Sequence, residues 1–197
     1  MTIGSLYDDQ DALLHAISSL YLGGGSFDLD PCFNKGGFYR ALKRPQHIGD
    51  IAPKYKWCPK MDSTQLPWEL WNLESAVFDP PFLVGTGMMA EEYGSFPTVQ
   101  ALWEMYDRSL ENFHRVLRPG GTLVVKTQDT SVGGQNFFSH IHIATFGREI
   151  GFELVDVFIL HNPKRIKKAV PSRMARKEHC YFLIFKKVER QIRVAKF

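Results

Sequence analysis

An apolar run, Ser75-Ala76-Val77-Phe78, ends on Asp79-Pro80-Pro81-Phe82. Inside a buried strand this ending is costly, because a carboxylate must shed its water and two prolines withhold donors from the ladder. Just beyond a strand the same residues become useful. A carboxylate and a backbone carbonyl stand at a stiff bend with no proline N–H to compete for them, and Phe82 adds a flat apolar face. Four more acids, Asp30, Asp50, Asp62 and Asp129, follow short apolar runs in the same way. Each alone also reads as a cap or a turn residue. Gathered at one rim, they would accept hydrogen bonds from the hydroxyl and amino groups of a ligand.

The elements that must position these residues alternate along the chain. A helix is predicted over residues 8–21, where Ala12, Leu13, Ala16, Ile17 and Leu20 recur at helical spacing behind a run of aspartates, and Gly23 to Gly25 stop it. SFDLDPC reads as a first short strand, HIGDI (47–51) as a second, KWCPKMD as a third and ESAVFD as a fourth. Between the first two, NKGGFYRAL reads as a turn entering a helix. The clearest helix covers 97–117, with Val99, Leu102, Trp103, Tyr106, Leu110, Phe113 and Leu117 on one stripe, and RPGG terminates it. TLVVKTQD is a fifth strand, residues 134–150 a further helix closed by Gly151, and ELVDVFILH and HCYFLIFKK the last two strands.

Strands alternating with helices predict an α/β fold, a mostly parallel seven-stranded sheet covered on both faces. Only a proline-broken basic segment joins the last two strands, so they are expected to pair as an antiparallel C-terminal hairpin. In such sheets ligands sit outside the carboxyl ends of the parallel strands. That rule puts Asp30, Asp50, Asp62, Asp79 and Asp129 at the site.

The turn after the first strand, DPCFNKGG, places Asn34 and Gly36 where the backbone needs positive φ or close approach to a ligand. The full GxGxxG signature of a dinucleotide site is absent. Asp50, 14 residues beyond Gly36, is suited to accept both hydroxyls of a ribose, and Asp62 to receive an adenine amino group. Together they describe a pocket for adenosine without a pyrophosphate.

DPCFNKGG and FDPPF, in this order, resemble the cofactor loop and catalytic tetrapeptide of S-adenosylmethionine-dependent amino-methyltransferases, among them the N6-adenine nucleic-acid enzymes. The resemblance spans about residues 26–187 and includes LRPGGTLVVKT, similar to that class's turn into the fifth strand. Asn34 stands where the family has its first loop glycine. The resemblance implies a Rossmann-like class I methyltransferase sandwich, with S-adenosyl-L-methionine held by Asp30, Pro31, Asn34, Gly36, Asp50, Asp62 and Asp79. Catalysis would fall to Asp79, Pro80, Pro81 and Phe82. The amino nitrogen of a purine is a poor nucleophile because its lone pair is delocalised into the ring. Asp79 and the Pro80 carbonyl would hold its hydrogens and aim the lone pair, while Phe82 stacks on the base. A stacked base cannot reach such a pocket, so the target must be flipped out or unpaired.

Charge bears on the partner. Residues 164–197 carry 12 of the 24 Lys and Arg with two acids, a charge of +10, against −7 for the rest of the chain. Lys164, Arg165, Lys167, Lys168, Arg173, Arg176 and Lys177, between the last two strands, are suited to phosphates of nucleic acid, DNA or structured RNA. Such contacts position a nucleic acid without reading its sequence. Residues 83–97 are read as a mobile lid or substrate loop, with Tyr93 and Phe96 as contacts. Lys126 and Gln128 are read as strand-end residues within reach of substrate, His140 and His142 as helix surface, and His179 and Cys180 as structural.

At 197 residues, 44% hydrophobic and 23% charged, the chain reads as one soluble domain over 1–197. No run of about 18 apolar residues predicts a membrane span, and no basic leader precedes the first apolar run. Three scattered cysteines, Cys32, Cys58 and Cys180, without a CxxC pair, argue for no metal and a reducing, cytoplasmic setting. The family resemblance places DNA ahead of RNA. Amino-methylation of a protein and a non-catalytic nucleic-acid-binding subunit are the alternatives, and a hydride-transfer enzyme stands behind both.

Overall fold

The computed structural model describes residues 3–86, 91, 94–161, 175 and 177–188. Among these, nine strands are formed: β1 (Leu6–Tyr7), β2 (Leu29–Asp30), β3 (His47–Ile48), β4 (Leu73–Phe78), β5 (Leu117–Thr127), β6 (Thr130–Val132), β7 (Gln135–Phe137), β8 (Phe152–His161) and β9 (His179–Lys187). Seven of them make one sheet in the order β1-β8-β9-β5-β4-β2-β3, and β6 and β7 pair with each other as a separate hairpin. The pairs β2/β3, β2/β4, β4/β5 and β1/β8 are parallel, whereas β9 runs antiparallel to both β5 and β8. The expected mostly parallel sheet of seven strands with an antiparallel C-terminal hairpin is therefore present.

Its membership differs from the sequence expectation. KWCPKMD contributes only a single bridge, Asp50 to Lys60, and the seventh strand is β1, which pairs Leu6 with Ile159 and Tyr7 with Leu160. Pro59 has no N–H to offer a ladder, and Cys58 turns inward to a buried position.

Among the described residues, three helices of eight or more residues cover the sheet: α1 (Gln10–Tyr21), α2 (Val99–Val116) and α3 (Ser139–Ile150). Side chains at i and i+3/i+4 share a helix face, and successive strand residues point to opposite faces of the sheet. Both periods are visible in the core. Ala76, Phe78, Leu123, Val125, Leu183 and Phe185 face Leu102, Tyr106, Leu110 and Phe113 of α2, while Val77, Val124, Phe182 and Ile184 face Leu13, Leu14 and Ile17 of α1. The Asp9 carboxylate caps α1 by accepting from the Ala12 N–H at 2.8 Å, and Thr98 caps α2 by accepting from the Ala101 N–H at 3.1 Å.

Two expected helices are shorter than their sequence pattern. The predicted helix over 134–150 begins only at Ser139, because Gly133 and Gly134 take φ of 58° and 80° and turn the chain into the β6–β7 hairpin. NKGGFYRAL forms one 3-10 turn, Gly37–Arg40, in place of a full helix.

Phe78 fixes the level at which β4 ends. Its ring is wholly buried, 5.0 Å from Phe113 and 5.9 Å from Tyr106 between centroids. Phe78→Ala is expected to cost about 3–5 kcal/mol in urea unfolding, through lost transfer energy and the cavity left behind. A cost below about 1 kcal/mol would mean that β4 is not anchored there.

Candidate active site

β2, β3, β4 and β5 run parallel, so their carboxyl ends open on one rim. Asp30 is the last residue of β2, Asp50 follows β3, Asp79 follows β4 and Asp129 follows β5. Asp62 stands nearby, after the bridge between Asp50 and Lys60.

The loop from Asp30 to Gly37 is braced from within and from β3. Asp30 accepts from the Cys32 N–H at 2.8 Å and from the Tyr39 hydroxyl at 2.6 Å. Pro31 is buried behind it. The Phe33 N–H donates to the Gly49 carbonyl at 2.9 Å and the Asn34 N–H to Asp50 Oδ2 at 2.8 Å, while Asp50 Oδ1 accepts from the Ala52 N–H at 2.8 Å. Asn34 has φ 47° and Gly36 φ 71°, the left-handed conformation that their residue types predicted. A Cβ on Gly36 would lie 2.6 Å from Phe33 Cζ, so no larger residue fits this turn without moving the ring. Asn34 Oδ1 is buried with no hydrogen-bond partner. An acceptor left this way costs about 1–3 kcal/mol, which a ligand donor would recover.

The five acids are not equivalent. Asp30 is buried, and burial pushes its carboxyl up to about 7; the hydrogen bonds from Tyr39 and Cys32 oppose this, and the charges of Asp79 and Asp50 add to it. It serves its own loop rather than presenting oxygens to the crevice. A carboxyl raised this way stabilises the fold fully below the ordinary value of 3.8, and that contribution is lost as pH rises through about 7. The stability of the wild type relative to Asp30→Asn is therefore expected to fall between these limits in urea titrations. A constant difference would show that the carboxyl does not titrate there. Asp62 caps the 3-10 turn Ser63–Gln65, its Oδ1 accepting from the Thr64 N–H at 2.8 Å and the Thr64 hydroxyl at 2.7 Å.

Asp79 pairs with a residue whose role the sequence left open. Lys126 Nζ donates to Asp79 Oδ2 at 3.0 Å and lies 3.4 Å from Gln10 Oε1, over the rings of Phe38 and Phe182 at 5.1 and 5.7 Å. The side chains are 14% exposed for Lys126 and 27% for Asp79, so each is the other's main counter-ion. An ionised carboxylate has about four acceptor directions, and this contact leaves others for an incoming N–H. Pro80 is buried, and Pro81 and Phe82 are half-buried beside it.

After Phe82 the chain is pinched shut at its base: the Phe96 N–H donates to the Leu83 carbonyl and the Gly85 N–H to the Phe96 carbonyl, each at 2.9 Å. Phe96 packs against the α2-side core, a correction to its reading as a substrate contact. Tyr93 lies outside the described residues.

Sequence reasoning missed an acid–imidazole pair. Asp129 is buried, its Oδ1 2.7 Å from His140 Nδ1, and the His140 ring stacks on Tyr181 with centroids 4.2 Å apart. Burial and the neighbouring Asp129 push the Tyr181 hydroxyl up. Nothing periodic links positions 129 and 140; the signal was the need of a buried carboxylate for a partner. His142 is half-buried, 2.8 Å from Asp107 and stacked on Trp103, and so ties α3 to α2. Gln128 pins the entry to β9 by donating to the carbonyls of His179 at 2.7 Å and Lys177 at 3.2 Å.

Cys180 is buried, and burial pushes the Cys32 thiol well up, with the negative charges of Asp30, Asp79 and Asp50 adding to it. Neither is suited to a thiolate role. No group of three or more metal-ligating side chains occurs among the described residues, and no helix among them is long and apolar enough to cross a membrane.

β8 is parallel to β5, so it ends, and β9 begins, at the same rim. Of the basic residues between them, Lys164, Arg165, Lys167, Lys168, Arg173 and Arg176 lie outside the described residues. Lys177 is half-buried, with Nζ 5.9 Å from the centre of the Phe138 ring.

No family model and no curated protein matches the chain. Among solved structures it is similar to the 1,6-didemethyltoxoflavin-N1-methyltransferase of Burkholderia thailandensis, which holds 1,6-didemethyltoxoflavin and S-adenosylhomocysteine. Identity is 16% over 92% of this chain and 80% of that one, with a TM-score of 0.58. It is also similar to TrmN from Thermus thermophilus, with 15% identity over 90% of this chain and 49% of that one and a TM-score of 0.54. A second Thermus thermophilus protein, described as a DNA modification methylase and in complex with S-adenosyl-L-methionine, aligns at 24% identity over 66% of this chain, with a TM-score of 0.47. The chain spans about half the length of that protein, 54%. The strand order, the single reversed strand and the helices on both faces, together with the first two likenesses, give the chain the Rossmann-like class I methyltransferase fold.

Proposed function

We propose that this chain transfers a methyl group from S-adenosyl-L-methionine to the N6 amino group of adenine in nucleic acid, with DNA the first substrate to test. The observation that carries the reading is the adjacency of β2 and β4, which sets the Asp79-Pro80 bend beside a loop whose buried Asn34 Oδ1 lacks a donor. The residues present fit the cofactor. Asn34 Oδ1 would accept from its ammonium group, Asp50 would take its ribose hydroxyls and Asp62 its adenine amino group, while Gly36 shapes the turn by making room for the Phe33 ring. Asp50 spends one acceptor direction per oxygen on the Asn34 and Ala52 N–H groups, which leaves two more for hydroxyls. Asp30 and Pro31 would hold the loop in shape. The cofactor, when bound, would supply a methyl carbon on a positively charged sulfur; as the N–C bond replaces the S–C bond, S-adenosylhomocysteine would leave as the neutral thioether and one amino proton would pass to water.

The chain's own residues then have separate tasks. Asp79 and the Pro80 carbonyl accept the two amino hydrogens of an extruded adenine, so that its nitrogen approaches with the lone pair in line. Pro80 and Pro81 keep that carbonyl from swinging away. Phe82 offers its ring to the base. Lys126 holds Asp79 from one side, which fixes the direction of the free oxygen. Lys177 and the basic residues from Lys164 to Arg176 would take backbone phosphates.

The reading is tested by incubating the protein with radiolabelled methyl donor and total DNA, total RNA or lysate protein, followed by nucleoside and amino-acid analysis. Label in N6-methyladenine from DNA is expected. Label confined to protein would replace this reading with protein amino-methylation.

A further inference from the structure

A second site lies beside the cofactor loop, on walls that none of the rim acids forms. It is a cavity of about 350 Å³ lined by Lys35, Lys43 and Arg44 together with Phe33, Tyr39, Tyr55 and Trp57, and by no carboxylate. The Arg44 guanidinium carbon stands 4.6 Å from the Trp57 ring centre and 5.6 Å from that of Phe33. On Trp57 a third layer follows, the Tyr55 ring, stacked at 5.0 Å with 9° between the planes.

A guanidinium carbon this close to two ring centres makes a cation–π contact, which consumes none of its N–H donors and leaves them for phosphate oxygens. Neither Arg44 nor Lys43 pairs with a carboxylate among the described residues. The floor and rim are aromatic. Tyr55 ends the stack and remains 39% exposed, which leaves ring surface for another planar group. They belong to the alternation Lys54-Tyr55-Lys56-Trp57, in which both lysines are exposed. Cations interleaved with exposed rings, without acids, fit a strand whose phosphates and unpaired bases are both within reach. A duplex, with its bases stacked inside, would use the cations and leave the rings idle.

We propose that this cavity binds one nucleotide of single-stranded nucleic acid, its phosphate on Arg44 and Lys43 and its base on Tyr55, which Trp57 backs. The inference rests on the reading of the chain as an enzyme of nucleic acid, and deepens it by naming an unpaired substrate. Because Phe33 and Gly36 belong both to this cavity and to the cofactor loop, a strand held here lies next to the crevice where the target base would enter.

The test measures anisotropy of fluorescent single-stranded DNA and RNA oligonucleotides of about 12 nucleotides, and of the matching DNA duplex. The full chain is compared with Lys43→Gln/Arg44→Gln and with Tyr55→Ala. The double variant is expected to lose tenfold or more in single-strand affinity and to reduce the slope of log K against log salt by about 1 or more. Tyr55→Ala should weaken single-strand binding about fivefold or more and leave duplex binding unchanged, in line with one lost stacking contact. Calorimetry should find S-adenosyl-L-methionine affinity preserved in both variants, which separates the effect from misfolding.

Single-strand affinity and salt slope unchanged in the double variant would overturn the proposal, as would displacement of the oligonucleotide by S-adenosyl-L-methionine. Methyl transfer supplies the separate readout. If no nucleic acid is methylated yet the variants still lose single-strand binding, the functional reading falls and this site stands. If DNA is methylated and both variants keep the wild-type KM, only this site falls.

Discussion

Asp79→Ala lowers the rate of methyl transfer by about 10²–10³-fold or more, on the present account, while the affinity for S-adenosyl-L-methionine changes by less than roughly tenfold, about 1.4 kcal/mol. The reason is where the carboxylate stands. Asp79 follows a buried strand end, and its free acceptor directions would hold an amino hydrogen only as the nitrogen comes into line. Losing it removes stabilisation at the moment of reaction, so kcat should fall more than KM rises. Asp79→Asn tests the same oxygen by a gentler route. It keeps a similar shape but replaces one acceptor with a donor that faces the amino hydrogens, and it should be nearly as inactive.

Stability needs separating from chemistry here, because Lys126 is only 14% exposed and would lose its counter-ion. A partly exposed pair broken from one side costs about 1–3 kcal/mol. The double variant Asp79→Ala/Lys126→Met should regain most of that stability and none of the activity. Activity regained together with stability would mean that Asp79 only supports the fold.

The second large effect is expected at Asp50. Its two oxygens already hold the N–H groups of Asn34 and Ala52, and its remaining acceptor directions are the ones assigned to a ribose. Asp50→Ala should therefore weaken S-adenosyl-L-methionine by about 100-fold, or about 2.7 kcal/mol, by calorimetry. It should also lower stability by about 1–2 kcal/mol, since the Asn34 N–H loses its acceptor in a partly buried loop, whereas the exposed Ala52 N–H turns to water. Adenosine alone should lose affinity in parallel, because it carries the ribose but not the methionine end. If adenosine were unaffected while the full cofactor weakened, Asp50 would be acting through the Asn34 turn and not on the sugar.

The fold was legible in the sequence where a single period ran long enough. The stripe of α2 and the apolar runs of β4, β5, β8 and β9 are of that kind, and they set the rim on which the acids stand. Asn34 was legible for a different reason: few residues other than glycine accept a φ of 47°, so its type announces its backbone. What was hidden depends on partners distant along the chain. β1 is two residues long and exists only because Leu6 and Tyr7 find Ile159 and Leu160. The bridge at Lys60 is what remains of an expected strand once Pro59 interrupts it. At the site, the carboxylates could be counted but not their commitments. Asp30 spends its oxygens on Tyr39 and Cys32, Asp129 turns to His140, and Asp79 meets Lys126 across 47 positions of sequence. Burial and pairing separate these acids into braces and candidates for chemistry, and neither can be read from spacing.

The most direct measurement is a crystal structure of the protein with S-adenosylhomocysteine and an oligonucleotide carrying an unpaired adenine. The adenine N6 is expected within about 2.7–3.2 Å of both an Asp79 carboxylate oxygen and the Pro80 carbonyl, with the homocysteine sulfur facing it from the Asn34 loop. An adenine bound away from Asp79, or a cofactor seated elsewhere than the crevice between β2 and β4, would contradict it.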